Sequence, residues 1–329
     1  MARPEATEVL CEVLGSRYPI VQAPMNWVTD AQFVAAVSNA GALGVLGPNA
    51  GATTISEDPE VVARRLAEQI DLARELTVHP FAVNFPIGLG SDRRFSDSCV
   101  EIGIRKRIPV ALTSMGSPEI YTALLKGAGI KVVHTVASLK QALKAQDAGV
   151  DAVICQGAEA GGHLGSLEVS NLVLIPMLAS RMRIPVVAAG AIVNAVGHHA
   201  MVALGAAGAC SGTRFLATIE SPAHPDVKKA IVETDEGSLA TWGRGWGLAR
   251  GLKNRFVEGV LKEEDAAKSL ESYVRLSKSY DKFGTGVNRI IGGMIYGDLD
   301  EGEIYLGQGA VLIDRIGTVH EVVDSLMEL

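Results

Sequence analysis

Eight short apolar segments recur along the first 212 residues, and stretches of helical character separate most of them. Several of these segments are apolar nearly throughout, as strands are when both faces of a sheet are covered. Strands that alternate with helices predict an α/β fold with a parallel sheet. The predicted strands are Ile20–Met25, Leu43–Gly47, Phe81–Pro86, Pro109–Thr113, Val132–Val136, Ala152–Gln156, Pro185–Ala189 and Gly208–Gly212.

The segments between the strands carry apolar residues at helical spacing. Leu139, Ala142 and Ala145 recur with that period, and lysine and glutamine residues stand between them. Eight strands joined by helices are typical of a (β/α)8 barrel, whose usual length is about 250 residues before insertions. The predicted helices in this part of the chain are Asp30–Asn39, Pro59–Glu75, Pro118–Lys126, Leu139–Ala148 and Val193–Leu204.

An open, doubly wound sheet is the structural alternative. That fold usually carries G-x-G-x-x-G directly after its first strand, where the glycines admit a dinucleotide pyrophosphate. Here the first strand runs through Ala23-Pro24-Met25 into Asn26-Trp27, which lacks that pattern. The sequence therefore favours the (β/α)8 TIM barrel.

The alternation of strands and helices stops after Leu216. Residues 222–280 are charged and helix-like, glycine- and tryptophan-rich turns are expected around Thr241–Gly251, and a last helix is predicted near Val319–Met327. We predict that residues 1–221 and 305–329 form the barrel. Residues 222–304 are predicted to form a mostly helical insertion that covers the barrel mouth as a lid.

Composition narrows the functional classes. A formal net charge of −7 disfavours binding to nucleic acid, because a phosphate backbone needs a dense basic surface. The four cysteines form no C-x-x-C pair and are expected to be reduced thiols. The N-terminus has no signal-peptide pattern and no apolar stretch reaches membrane-spanning length. We therefore expect a cytoplasmic protein that does not enter a membrane.

The loop after the sixth strand, Gln156–Gly165, is the most informative segment of the chain. In a TIM barrel the active site gathers at the carboxyl ends of the strands. Gly161 and Gly162 let a flat ligand approach the backbone closely, and His163 can exchange protons near neutral pH. We predict that His163 is the catalytic residue. The alternative is a solvated histidine in a loop of turn-forming glycines.

Turns after the seventh and eighth strands are where barrels often bind a phosphate group, through backbone amides and a helix N-terminus. Gly190 and Ala191 follow the seventh strand, and Gly212 and Thr213 follow the eighth. The glycines allow close approach, and the Thr213 hydroxyl can donate to a phosphate oxygen. The sequence therefore predicts a phosphorylated cofactor or substrate at these two turns.

Two residues that end other strands are predicted to face the same mouth. Asn84, near the end of the third strand, can donate and accept hydrogen bonds at the edge of a ring. Met25, at the end of the first strand, offers a soft apolar surface. A cap or a core filler is the alternative for each, and Trp27 is either a stacking surface or a rim residue.

Taken together, these segments resemble the nitronate monooxygenase family, formerly called the 2-nitropropane dioxygenases. The resemblance rests on Pro19–Met25, the loop Gln156–Gly165, Gly190 and the segment Gly212–Phe215, and it runs through all eight strands in order. The family is similar in turn to FMN-dependent enoyl-acyl-carrier-protein reductases and to a group of NADH:quinone reductases.

The resemblance implies an FMN-dependent oxidoreductase with non-covalent FMN at the barrel mouth. It implies oxidation of an alkyl nitronate or a similar acidic carbon compound with O2, in which the flavin carries the redox step and a histidine moves the proton. By this resemblance His163 stands over the flavin, Gly190, Ala191, Gly212 and Thr213 hold the phosphate, and Ala23, Met25, Asn84, Gln156, Gly161 and Gly162 surround the ring and ribityl chain.

Two segments depart from the nitronate pattern. Asn26-Trp27-Val28 looks more like the quinone reductases, and Gly307-Gln308-Gly309 looks more like the enoyl reductases. The alternative function is therefore an FMN reductase of an enoyl thioester or quinone, with NAD(P)H as electron donor. A flavin-free isomerase or binding barrel for a phosphorylated sugar is a third interpretation. The expected partner is a small-molecule substrate. The sequence is compatible with either a homodimer or a monomer.

Overall fold

A computed structural model describes residues 4–56, 58–88, 93–244, 247–267, 269, 271 and 289–328. Its strands confirm the eight predicted apolar segments and add three short ones. The strands are β1 (Ile20–Gln22), β2 (Gly44–Leu46), β3 (Phe81–Pro86), β4 (Val110–Ser114), β5 (Lys131–Val136), β6 (Ala152–Gln156), β7 (Gly162–His163), β8 (Val186–Ala189), β9 (Gly208–Ser211), β10 (Leu239–Trp242) and β11 (Ala249–Leu252).

Eight of these strands form one parallel sheet in the order β1-β9-β8-β6-β5-β4-β3-β2. A parallel bridge between Val21 and Leu43 brings the first and last strands of that order together. The sheet therefore curls into a nearly closed barrel, and the predicted TIM barrel is confirmed. No doubly wound open sheet forms among the described residues.

Helices follow most of the barrel strands and cover the outside of the sheet. Asp30 and Asn194 each accept a backbone hydrogen bond three residues on, so each caps the start of a helix. The helices are α1 (Pro4–Leu14), α2 (Ala31–Asn39), α3 (Pro59–Leu76), α4 (Arg94–Arg105), α5 (Thr122–Gly127), α6 (Leu139–Asp147), α7 (Asn171–Ala179), α8 (Ala195–Ala203), α9 (Thr213–Leu216), α10 (Pro225–Val232), α11 (Arg255–Ala266), α12 (Arg289–Met294) and α13 (Val319–Met327).

The barrel core has two layers because side chains alternate between the faces of each strand. One buried cluster lies inside the barrel and includes Val21, Val45, Leu112 and Val187, together with Leu10 and its neighbours on α1. The other buried cluster lies between the sheet and the surrounding helices. Since α1 packs into the interior cluster, that helix closes one end of the barrel and leaves the opposite end as the mouth.

The C-terminal region adds helices to the barrel, as predicted, and also contains two strands that the sequence did not predict. Of the stretch expected as turns, Thr241–Gly251, the first two residues lie in β10 and the last three in β11, and these strands pair antiparallel. β11 also pairs with β7, so this region contributes two strands to a three-stranded sheet that includes His163. The helices α10, α11 and α12 confirm the helical part. The remainder of the expected helical stretch, 272–280, lies outside the described residues.

Among the described residues, no helix has both the length and the apolar character that a membrane crossing requires. The barrel boundaries at residues 221 and 305 stay predictions.

Candidate active site

Eight residues line the floor of the barrel mouth. Each stands two positions beyond an interior side chain of its strand, so it also points inward, one layer nearer the mouth. We call this set the mouth layer. Its members, one per barrel strand, are Ala23, Gly47, Asn84, Ser114, Thr135, Gln156, Ala189 and Gly212.

The mouth layer has two contiguous halves. Neighbouring strands β8, β9, β1 and β2 contribute only alanine and glycine. The backbone of Asn26 fills the space over Gly47, so the small residues of β8, β9 and β1 are the ones that leave a recess. Strands β3, β4, β5 and β6 contribute an asparagine, a serine, a threonine and a glutamine. None of the eight carries a charge. The floor can therefore admit a flat, bulky ligand on one side and hydrogen-bond its polar edge on the other.

Three of the predicted cofactor residues meet at the recess. A Cβ atom added at Gly212 would lie 3.4 Å from the Cβ of Ala23 and 3.7 Å from the Sδ of Met25. Both distances are ordinary van der Waals contacts, so the protein itself leaves room for an alanine at this position. Gly212 has a φ of −110°, which any residue can adopt.

The turn after β8, where the sequence predicts close approach of a ligand, has an unusual backbone conformation. Gly190 has a φ of +116°, and the next residue, Ala191, has a φ of +57°. A left-handed alanine is uncommon and costs free energy, and such strain concentrates at ligand sites. The side-chain amide of Asn171 fixes the turn by donating to the carbonyl oxygens of Ala189 and Gly190, each at 3.1 Å.

The turn after β9 is tied to the C-terminal tail. The backbone N–H of Gly307 donates to the Oγ1 of Thr213 at 3.0 Å, which leaves the Thr213 hydroxyl proton for another acceptor. The tail continues past the other turn, because a Cβ atom added at Gly309 would lie 2.9 Å from the Cα of Ala191. The tail therefore brings both predicted phosphate turns into one site.

Asn84 carries an unpartnered polar atom. Its side chain is buried, and its Oδ1 has no hydrogen-bond partner among the residues that the structure describes. A buried acceptor without a partner costs about 1–3 kcal/mol, so native proteins usually pair such an atom with a ligand, an ion or water. The orphaned oxygen lies in the polar half of the mouth layer, where a ligand donor would satisfy it.

His163 is held from two sides. Its backbone pairs with Ala249 of β11, and the next residue, Leu164, donates its N–H to the carbonyl oxygen of Leu248 at 2.8 Å. From the barrel side, the Nε2 of Gln156 donates to the carbonyl oxygen of His163 at 2.7 Å. His163 as a whole residue is exposed to solvent, while neighbouring protein atoms crowd its imidazole.

The imidazole of His163 stands against an aromatic pair. Its ring centroid lies 5.5 Å from that of Tyr305, which in turn stacks at 6.1 Å on buried Trp242. Protein groups around the mouth withhold water from the imidazole, and this desolvation lowers the pKa of His163 below its usual 6.5. His163 is therefore neutral at pH 7, the form that accepts a proton.

A buried arginine stabilises the loop Gln156–Gly165, which carries His163. Arg250 of β11 is buried, and its guanidinium donates to the carbonyl oxygens of Ala158 and Ala160, to the latter at 3.0 Å. Glu159 fixes the other side of the loop, since its carboxylate accepts from the Asn171 N–H at the start of α7 at 3.0 Å.

The structure thus brings together most of the residues predicted from the sequence. Ala23, Met25 and Gly212 meet at the recess, Asn84 and Gln156 lie in the polar half, and Gly190, Ala191 and Thr213 lie on turns joined by the tail. Gly161 packs on the tail as well, since a Cβ atom added there would lie 2.4 Å from the carbonyl carbon of Leu306. Gly162 pairs with Arg250 beside His163.

Sequence reasoning missed Tyr305, Trp242 and Arg250. Each of them lies at least 79 positions from His163 along the chain, so local patterns do not connect them. The one available signal was Arg250 itself, a single charge between apolar Leu248-Ala249 and Gly251-Leu252. No group of three His, Cys, Asp or Glu side chains within the described part of the chain could hold a metal ion.

Comparison with known proteins identifies relatives along nearly the whole chain. Residues 7–328 match the nitronate monooxygenase family. A probable nitronate monooxygenase of Staphylococcus aureus (strain Newman) is 31% identical over 298 residues, which cover 78% of this chain and 81% of the relative.

Two solved structures are similar over almost their full lengths. FabK from Thermotoga maritima superposes with a TM-score of 0.84 at 31% identity, covering 97% of this chain and 94% of FabK. A nitroalkane oxidase from Streptomyces ansochromogenes superposes with a TM-score of 0.77 at 28% identity, covering 97% of this chain and 96% of that one.

Proposed function

The chain belongs to the nitronate monooxygenase family and is an oxidoreductase, and from this premise we propose that its barrel mouth binds FMN for the oxidation of an alkyl nitronate or a similar acidic carbon compound with O2. The observation that carries the proposal is the divided mouth layer. Small residues on three adjacent strands, β8, β9 and β1, leave a recess, and strands β3 to β6 present polar groups, among them the unpartnered Oδ1 of Asn84.

The residues present fit FMN. The turns at Gly190–Ala191 and Gly212–Thr213 would hold the phosphate through backbone N–H groups and the Thr213 hydroxyl, and Asn84 and Gln156 would meet the polar edge of the ring. Ala23, Met25, Gly161 and Gly162 would lie against its faces. FMN, when bound, supplies the electron transfer that the side chains cannot perform.

The chain's own contribution is proton handling and positioning. The neutral imidazole of His163 accepts the α-proton of a nitroalkane and leaves the carbon as the nitronate. Gln156 and β11 hold the backbone of His163, so the base keeps one position relative to the mouth floor. Tyr305, backed by Trp242, forms an apolar wall beside the imidazole and excludes water from that side.

A matched pair of substitutions at Gly212 tests the phosphate site. The protein accommodates a Cβ there, so Gly212→Ala should fold normally and retain most of its flavin. Gly212→Asp adds a carboxylate that repels a phosphate, and it should give soluble, colourless protein. Full flavin content in Gly212→Asp would show that the phosphate lies elsewhere.

A second candidate function is an NAD(P)H-dependent FMN reductase of an enoyl thioester or quinone. It is favoured by the similarity to FabK and by the tail segment Gly307-Gln308-Gly309, which looks more like the enoyl reductases and contacts both predicted phosphate turns. Anaerobic mixing separates the two functions. Rapid bleaching of the flavin by a nitronate but not by NADH or NADPH supports the first, and the reverse pattern supports the second.

A further inference from the structure

A buried carboxylate stands on the apolar face of α11. That face carries Phe256, Val257 and Val260, which are buried against β10 and β11, and the same helical spacing places Glu264 on it. Glu264 is 5% exposed, whereas its neighbour Glu263 is exposed. Acidic side chains are almost never fully buried unless they are paired. The partners of Glu264 therefore show what this residue contributes.

The partners of Glu264 are two backbone amides at the tip of the β10–β11 hairpin. The Oε1 of Glu264 accepts from the N–H of Gly243 at 2.7 Å and from the N–H of Arg244 at 2.9 Å. Gly243 turns the chain with a φ of +85°, a conformation that suits glycine. The second oxygen of Glu264, Oε2, is buried and has no hydrogen-bond partner in the ranges of the chain that the structure describes. The carboxylate thus joins the hairpin tip to α11.

The hairpin tip directly follows the aromatic pair that stands beside His163. Trp242, the residue before Gly243, is buried and stacks on Tyr305 with ring centroids 6.1 Å apart. The ring of Tyr305 lies 5.5 Å from the imidazole, and both aromatic residues pack on the apolar face of α11. Because Glu264 fixes the residues that follow Trp242, it also fixes where the aromatic pair stands relative to the imidazole.

We propose that Glu264 is a positioning residue for His163: it holds the hairpin tip on α11 and thereby keeps Trp242 and Tyr305 against the imidazole. An apolar residue at position 264 would avoid the free-energy cost of burying a carboxylate, but it could accept neither amide proton. The effect on turnover rests on the proposed function, in which His163 is the base. The effect on the imidazole itself requires no reaction.

The pKa of His163 reports on the aromatic pair. Desolvation lowers this pKa, and the aromatic pair forms part of the wall that withholds water from the imidazole. A substitution at Glu264 leaves the other charged groups around the imidazole in place. They are Arg250 on β11, Arg244 at the hairpin tip, Glu303 beside Tyr305, and Glu159 and Glu168 on the loop of His163 itself.

The two consequences of losing Glu264 have opposite signs. Loss of a negative charge disfavours the protonated imidazole and lowers its pKa. Loss of the hairpin contact admits water to the imidazole and raises its pKa toward 6.5, the value of a solvated histidine. A rise in the pKa of His163 therefore identifies positioning, and the lost charge cannot imitate it.

Titration of the His163 imidazole by NMR, on the purified full chain, tests the proposal with three variants. Glu264→Met removes the acceptor and should raise the imidazole pKa toward 6.5. Glu264→Gln keeps an oxygen that accepts from the hairpin, so its imidazole pKa should stay at or below the wild-type value. Glu263→Met is the matched control, because it removes a carboxylate from an exposed position of the same helix, and it should leave the imidazole pKa unchanged.

Turnover supplies a second readout. Glu264→Met should lower the rate on a neutral nitroalkane by roughly 10-fold or more, since a misplacement of about 1 Å can cost about 10²-fold. The rate on the corresponding nitronate should change much less, because that form needs no proton removed. The ratio of the two rates does not depend on the amount of folded enzyme, so partial unfolding cannot produce the contrast.

A folded Glu264→Met protein whose His163 titrates as in the wild type would overturn the proposal. A Glu264→Gln protein whose imidazole pKa rises as far as that of Glu264→Met would also overturn it, because the acceptor would then have no role. If Glu264→Met does not fold, Glu264→Asp replaces it. This variant withdraws the carboxylate by one methylene and keeps its charge, so the pKa should still rise, and an unchanged pKa would contradict the proposal. The NMR titration needs no substrate, so failure of the proposed function is distinguishable from failure of this inference.

Discussion

The side-chain amide of Gln156 donates to the backbone carbonyl oxygen of His163 at 2.7 Å, so strand β6 holds the backbone of His163 in place at the barrel mouth. On the opposite side, His163 pairs with Ala249 of the C-terminal region. The backbone of His163 is therefore fixed between two parts of the chain that are separated by 93 positions. This double attachment underlies the predictions that concern proton transfer.

His163→Ala should lower turnover of a neutral nitroalkane by about 10²–10⁴-fold, the usual contribution of a general base. FMN should stay bound, because the predicted phosphate turns lie on other loops. A nitronate is already ionised and needs no proton removed, so its turnover should fall much less. Steady-state rates on the two forms of one nitro compound measure the contrast.

Equal losses on both forms would mean that His163 positions the substrate or the flavin and moves no proton. A wild-type rate on both forms would remove His163 from the mechanism.

The pH dependence of kcat/KM for a neutral nitroalkane should have its acid limb below pH 6.5. Desolvation lowers the pKa of His163, so the neutral base persists to lower pH and the rate is lost only as pH falls through that lowered value. The limb should disappear in His163→Ala. A limb at or above pH 6.5 would contradict the desolvated environment that the structure gives this imidazole.

Arg250→Met should lower the free energy of unfolding by roughly 1–3 kcal/mol, because the buried carbonyl oxygens of Ala158 and Ala160 lose their donor. Hydrogen exchange at the Leu164 amide should accelerate as the His163 loop loosens, and Arg250→Lys should recover part of both losses. Denaturant titration measures the free energy of unfolding, and hydrogen-exchange mass spectrometry measures the exchange rate at Leu164.

Arg255→Met is the control for Arg250, since Arg255 is exposed and pairs at the surface with Asp300 and Glu301. Its cost should stay within about 1 kcal/mol. If the two arginine substitutions lower the free energy of unfolding equally and neither changes hydrogen exchange at the Leu164 amide, Arg250 does not stabilise the loop.

Asn84→Leu should leave the flavin-free protein at least as stable as the wild type, because the substitution removes a buried acceptor that is unpartnered in the described part of the chain. The stabilisation on adding FMN should shrink by about 1 kcal/mol or more, which melting curves with and without FMN report. Thr113→Val is the contrasting variant. The Thr113 hydroxyl is paired with the His134 Nδ1 at 2.8 Å, so its loss should destabilise the flavin-free protein without changing FMN binding.

An Asn84→Leu protein that unfolds more readily without flavin, yet binds FMN as the wild type does, would reverse the assignment. Asn84 would then be a structural residue of the strand.

The barrel could be predicted because its strands are apolar on both faces and each lies close to its helix in the sequence. α7 was not predicted, and the reason is physical. Its outward residues are as apolar as its inward ones, so Asn171–Ala179 lacks the polar period that marks a surface helix. β7 was missed as well, because a two-residue strand has no pattern of its own and forms only through pairing with β11, about 87 positions away.

The same distinction holds for the site. Gly190 and Gly212 directly follow apolar strands, and His163 lies in the connection that follows β6. Because the ends of parallel strands meet at one mouth, the convergence of these residues followed from local sequence. Tyr305 and Trp242 reach His163 only through the tertiary arrangement of the C-terminal region. Residues from β10 and β11 were expected as turns, and turns give no register from which a partner strand can be inferred.

The identity and amount of flavin released on denaturation test the central claim most directly. The mouth has two turns suited to one phosphate group, and the first strand carries no dinucleotide fingerprint. Protein purified in its native state, or refolded with an equimolar mixture of FMN and FAD, should release FMN in an amount equal to that of the chain and no FAD. Stoichiometric FAD, or no flavin at all after reconstitution, would contradict an FMN site in the barrel mouth.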